Sequence, residues 1–196
     1  MTMPIKKLGL AFSLLFALAL AACETPVQTQ KMADLTFGHL TPIKLDVAKI
    51  EVVNHYRAPL RAPNVEHLFP TPPVAALKQW AKDRLRAVGR AGVARLVIVN
   101  AGAVESRLAT KTGLTATFTK QQSQRYDLAV EARLEITSPL GRGQTSAHAS
   151  RFTTVREDIT LSQRERTWLE QTETLVRDFD VAMEKNMRQH LSRWFK

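Results

Sequence analysis

A run of strict alternation near the middle of the chain constrains the fold most. Tyr126, Leu128, Val130, Ala132, Leu134 and Ile136 alternate with Arg125, Asp127, Ala129, Glu131, Arg133 and Glu135. Successive side chains of a strand point to opposite faces, so this segment sets one wall against a core and the other in water. A sheet covered on one face needs helices to cover it.

Two helices are available. Thr71 followed by Pro72 and Pro73 predicts a start, with a hydroxyl cap and prolines where the amides lack partners anyway. Val74, Leu77, Trp80, Ala81, Leu85 and Val88 then recur at helical spacing, and Gly89 is placed to end the helix in a left-handed conformation. The second begins at a Thr160-Leu161-Ser162-Gln163 capping box. Leu161, Trp168, Leu175, Phe179, Met183, Met187, Leu191 and Trp194 mark one face of a helix predicted from Leu161 to Phe195.

The remaining strands are predicted over Ile43–Tyr56, with a bulge near Ala48-Lys49, over Ala94–Leu108, and more weakly over Gln144–Val155 after a turn at 138–143. Residues 109–124 are rich in Thr and Gln and read as a loop or an edge strand. The order is βαβββα. The first helix makes a crossover, so the strands it joins are expected to be parallel, and the later hairpin antiparallel. The predicted fold is α+β: two layers, a mixed four-stranded sheet with two amphipathic helices on one face, in a single domain over 42–196.

Ahead of that domain the chain has another character. Lys6 and Lys7 precede an uncharged apolar run, Leu8–Leu20. Thirteen helical residues rise about 20 Å, short of the roughly 30 Å hydrocarbon layer. Residues 1–22 therefore read as a cleaved export signal. The run ends in Leu20-Ala21-Ala22-Cys23, which holds the single cysteine of 196 residues. This tetrad resembles the bacterial lipobox. The resemblance implies cleavage before Cys23, diacylation of its sulfur and acylation of its new amine. An ordinary signal cut at an Ala-x-Ala-like site is the plainer alternative. Acylation would consume the one thiol, and two or three chains anchor firmly where one does not. Glu24, where an Asp would favour inner-membrane retention, leans toward the outer membrane. Residues 23–41 are polar and aperiodic and read as a flexible tether.

The element order and the lipobox together resemble the LptE type of lipopolysaccharide-assembly lipoprotein and the PqiC-like auxiliary lipoproteins of ABC lipid transporters. Leu77-Lys78-Gln79-Trp80-Ala81 is faintly like the Trp-containing first helix of the latter. The resemblance implies a scaffold or partner role in the envelope, and no binding residue is carried over from it.

Little in the chain points to catalysis or to a cofactor. His39, His55 and His67 lie near Asp46, Glu51 and Glu66, but their spacing fits no zinc pattern; with His148 and His190 they read as solvated. There is no GxSxG elbow, phosphate loop or GxGxxG, and Glu131 and Glu135 read as solvated charge on a strand. No catalytic residue, metal site or cofactor is expected, and the protein is not expected to be an enzyme.

The formal charge is +10, from 28 Lys+Arg against 18 Asp+Glu. Scattered cations on an exported chain suit anionic lipid headgroups better than nucleic acid, so no nucleic-acid partner is expected. Two surfaces are candidates for contact. One is the proline-rich segment from Tyr56 to Pro73, where Leu60, Val65, Leu68 and Phe69 could anchor a partner on a pre-stiffened loop; alternatively Leu68 and Phe69 close the sheet edge. The other is the end of the last helix, where Lys185, Arg188, Arg193, Trp194 and Phe195 could meet a membrane or partner. A 35-residue helix, about 50 Å long, should kink or project past a six-residue strand of about 20 Å. Alternatively its apolar groups pack on the domain.

These readings converge on a lipid-anchored, periplasm-facing accessory protein of the bacterial envelope, on the outer membrane, which binds a larger complex in envelope assembly or lipid transport. The alternative is a small-ligand or lipid-binding lipoprotein with a pocket between helices and sheet.

Overall fold

The computed structural model describes residues 34–109 and 121–196. The signal segment, Leu20, Ala21, Ala22 and Cys23, residues 24–33 of the tether and residues 110–120 of the Thr-rich stretch lie outside the described residues. Within them the fold is α+β. Strands β1 (Ile43–Leu45), β2 (Lys49–Asn54), β3 (Leu85–Ala87), β4 (Val93–Arg107), β5 (Gln122–Ser138) and β6 (Gly141–Arg156) accompany helices α1 (Pro73–Arg84) and α2 (Leu161–His190). The mixed main sheet has the order β2-β4-β5-β6. β2 and β4 are parallel, while β4–β5 and β5–β6 are antiparallel, as the crossover and hairpin predict.

On β5 all six inward residues from Tyr126 to Ile136 are buried. β4 is apolar on both faces at its middle: Leu96 and Ile98 join the core, and Val97 between them is buried too, on the other face. A register shift between Ile98 and Asn100 then moves the inward set from Ala94, Leu96 and Ile98 to Ala101 and Ala103. β6 turns Thr145, Ala147 and Ala149 inward, small residues that let α2 lie close. Both helices join the same core: Trp80 of α1 meets Phe179 of α2 edge-on at 5.1 Å, and Trp168 of α2 meets Tyr126 of β5 edge-on at 5.4 Å.

Several expectations are corrected. The strand predicted over Ile43–Tyr56 is two strands in two sheets, since β1 pairs in parallel with β3, which lies within the predicted first helix. The predicted bulge is a jog at Asp46–Ala48, fixed by Asp46 N–H to the Trp194 carbonyl (2.7 Å) and Ala48 N–H to the Gly92 carbonyl (3.0 Å). α1 starts at Pro73, but its cap is Pro72 with no side-chain bond, so Thr71 does not cap it. It ends at Arg84, not at Gly89. Gly89 instead packs where a Cβ would lie 2.6 Å from the Val47 nitrogen, so close backbone approach explains it.

β6 begins at Gly141 rather than Gln144. The tether is shorter than expected: Phe37 is fully buried, and its N–H donates to Asp83 Oδ2 at 2.8 Å, so residues 34–41 belong to the folded body. Asp83 titrates below its ordinary value. Its burial acts to raise it and is outweighed by the bonds from Phe37, Gln79 and Thr36.

The reciprocal capping box at Thr160 and Gln163 forms as predicted. The helix stops at His190, however, and a 3₁₀ turn over Ser192–Trp194 follows. Thirty residues rise about 45 Å, and strands of 15 to 17 residues span about 50–55 Å, so the helix matches its sheet and has no cause to project.

Candidate functional site

The proline-rich segment is held by the part of β4 that β2 leaves free. Val65 N–H donates to the Ala103 carbonyl at 2.9 Å and Glu105 N–H to the Pro63 carbonyl at 2.8 Å. Beneath it, buried Glu66 accepts the Tyr56 hydroxyl at 2.7 Å and the Ala103 N–H at 3.3 Å. Burial, and then the Glu66 carboxylate, push the Tyr56 phenol well above its ordinary range. The loop is thus pinned at its centre.

Its four candidate residues divide into two pairs. Val65 and Phe69 are buried, and Phe69 stacks on Trp168 at 4.7 Å with rings 6° from parallel. Leu60 and Leu68 are 65% and 56% exposed. Leu60 also sits at φ 56°, a left-handed conformation that disfavours a side chain of its kind.

Between this loop and the sheet face that the helices leave uncovered lies a groove of about 460 Å³. Tyr56, Pro59 and Asn64 form one side, and Gly102, Val104 and Phe152 contribute to the floor. Phe152 is 60% exposed, with the Arg125 guanidinium 4.0 Å from its ring centre. Arg125 holds Asp127 through contacts of 2.6 and 2.8 Å, which lowers the Asp127 carboxyl from its ordinary value. The groove offers an aromatic and aliphatic floor with a neutralised charge pair at its margin. Sequence reasoning found the loop but missed Phe152, because alternation marks which residues face out and not which of them share a hollow.

The second candidate surface is reorganised. Trp194 is buried, and its indole N–H donates to Ser138 Oγ at 2.8 Å. It fits because Gly143 lacks a Cβ, which would lie 2.6 Å from the ring. Phe195 is half-buried, bridged to Leu45, with Arg188 5.1 Å from its ring centre. Arg193 remains exposed, and Lys185 is exposed elsewhere on α2. Arg188 and Phe195 border a hollow of about 470 Å³ that Lys185 does not reach.

At the bottom of that hollow is an ion network invisible to sequence reasoning. Arg84, 3% exposed, donates Nε–H to Asp180 at 2.6 Å and Nη2–H to Glu184 at 2.5 Å. Trp80 Nε1–H also donates to Asp180, at 2.7 Å. Glu184 titrates below its ordinary value: burial acts to raise it, but the bonds from Arg188 and Arg84 outweigh that. The only sequence signal is an i, i+4 pair on each helix, Trp80/Arg84 and Asp180/Glu184. Nothing in either segment says that the two pairs meet.

His39, His55, His67, His148 and His190 are all exposed. Among the described residues no three His, Cys, Asp or Glu side chains are grouped to hold a metal, and no helix is long and apolar enough to cross a membrane.

No family model matches the chain, and no curated protein matches it. The chain is similar to a solved structure, that of rare lipoprotein B from Shewanella oneidensis. The TM-score is 0.34 and the identity 10%, over 70% of this chain and 92% of that one. So slight a likeness carries no argument about function.

Proposed function

We propose that the protein is a non-catalytic, lipid-anchored accessory protein of the bacterial envelope, facing the periplasm from the outer membrane, and that it binds a larger complex serving envelope assembly or lipid transport. One observation carries this reading: Leu20-Ala21-Ala22-Cys23 follows a short uncharged run and two lysines, and it contains the only cysteine. A binding role is supported by a pinned loop that leaves Leu60 and Leu68 exposed and lends Pro59 and Asn64 to the groove at Phe152.

The second reading, a pocket between helices and sheet, has one observation in its favour. Trp168 Nε1 and Thr172 Oγ1, on the inner face of α2, have no hydrogen-bond partner among the described residues. Against it, Trp80, Phe179, Tyr126, Trp168 and Phe69 fill that layer with ring-to-ring contacts. The test is photo-crosslinking in intact cells from Leu60 and Leu68, with Val181 as the control. A discrete envelope protein joined from the loop positions alone supports the proposal. No protein adduct, with lipid co-purifying stoichiometrically, overturns it in favour of the pocket.

A further inference from the structure

Segments far apart in sequence bring cations to one end of the sheet. The β1–β3 register sets Lys44 beside Arg86, and Lys196 N–H donates to the Lys44 carbonyl at 3.1 Å. Arg193 Nη1–H reaches the Leu140 carbonyl in the β5–β6 turn at 3.3 Å, two residues before Arg142 in the chain. Lys196 borders two shallow hollows, shared with Lys44 and Arg188 on one side and with Arg90 and Leu140 on the other. Lys44, Arg86, Arg90, Arg142, Arg193 and Lys196 are all exposed. The acids nearby are already engaged, Asp46 by Lys196 and Glu184 by Arg84 and Arg188. Among the cations stand two apolar tips, Val88 and Leu140, 48% and 50% exposed.

Chain geometry says what this end meets. Phe37 is bonded to Asp83 in the last turn of α1, three residues before Arg86, so the described chain begins at the basic end. Ten residues separate Cys23 from Asp34. Fully extended they reach about 35 Å, and as a flexible chain about 17 Å. An acylated Cys23 would therefore keep a bilayer within reach of these cations.

We propose that this end seats on a bilayer surface containing anionic phospholipid, the cations on headgroup phosphates and Val88 and Leu140 at the headgroup level. The inference rests on the anchored reading above. It also bears on the groove: Phe152 lies ten residues along β6 from Arg142, so docking can hold it up to about 33 Å farther from the bilayer.

The test uses the acylated protein reconstituted in vesicles, with Leu140→Cys or, as a control, Val181→Cys carrying an environment-sensitive dye. Acylated Cys23 does not react with the dye. Quenching by acrylamide is compared on phosphatidylcholine vesicles and on vesicles with about one third phosphatidylglycerol. The expected result is at least about twofold protection at position 140 on the anionic vesicles only, lost in about 0.5 M salt and lost with Arg90→Glu plus Arg142→Glu. Circular dichroism checks that this variant folds. Equal quenching on both vesicles, or protection that survives charge reversal, overturns the proposal and leaves the cations to an acidic protein. Intact mass of the same sample reports acylation separately, so a failed dock and a missing anchor are distinguishable.

Discussion

At the scale of single residues the Arg84 network is the most exposed to test. A buried pair is destabilised most by removing one partner, because the other charge is left unpaired in a poor solvent. Arg84→Ala strands Asp180 and is expected to lower unfolding free energy by about 3–5 kcal/mol in urea titration. Arg84→Ala with Asp180→Leu is expected to recover part of the loss. A single change that proves harmless would contradict the network. Glu184 of this network and two carboxylates elsewhere set an acid limit. Glu184, Asp83 and Asp127 titrate lower in the folded chain than unfolded, so the folded state binds fewer protons. Their contribution is complete above the unfolded carboxylate range, about pH 4.5, and is lost as pH falls through the folded values. Melting temperature should drop on acidification below about pH 4.5, less steeply in Glu184→Gln; a pH-independent melt would contradict these contacts.

At the scale of elements, the loop and the C-terminal segment separate packing from contact. Phe69→Ala removes a ring stacked on Trp168, and Trp194→Ala removes one seated on Gly143; each should cost about 3–5 kcal/mol. Leu60→Ala and Leu68→Ala should change stability by no more than about 0.5 kcal/mol, yet weaken loop crosslinking. If instead crosslinking from the other loop position is unchanged by either substitution, the loop is only a lid on the sheet edge. What the sequence disclosed about elements follows from range. β5 and the Thr160 capping box are specified by neighbours a few residues apart, and both stand as expected. The jog at Asp46 and the diversion of Leu85–Ala87 into β3 depend on Trp194, Gly92 and Leu45, and the segment that follows His190 is seated by Ser138 and Lys44, partners distant along the chain. Periodicity alone carries Leu85 and Val88 onward as helix, and it cannot register that β1 offers their backbone a sheet instead. Against a six-residue strand the last helix looks too long for its sheet, whereas strands of 15 to 17 residues leave nothing to project.

At the scale of the whole molecule, everything depends on attachment. Loss of residues 1–22 leaves a mature chain of 174 residues and, without Lys6 and Lys7, a formal charge of +8. On the lipid-anchored reading proposed above, acyl chains would hold this basic body at a surface and its cations would set which way it faces. The groove beside Phe152 is useful for recognition only if it points away from that surface. The decisive measurement is the intact mass of the native protein extracted from membranes with detergent. The expected species is a polypeptide starting at Cys23 and carrying a diacylglyceryl thioether with a further acyl group on its amine. A chain that begins at another residue, or begins at Cys23 with no lipid mass, would contradict the anchored reading.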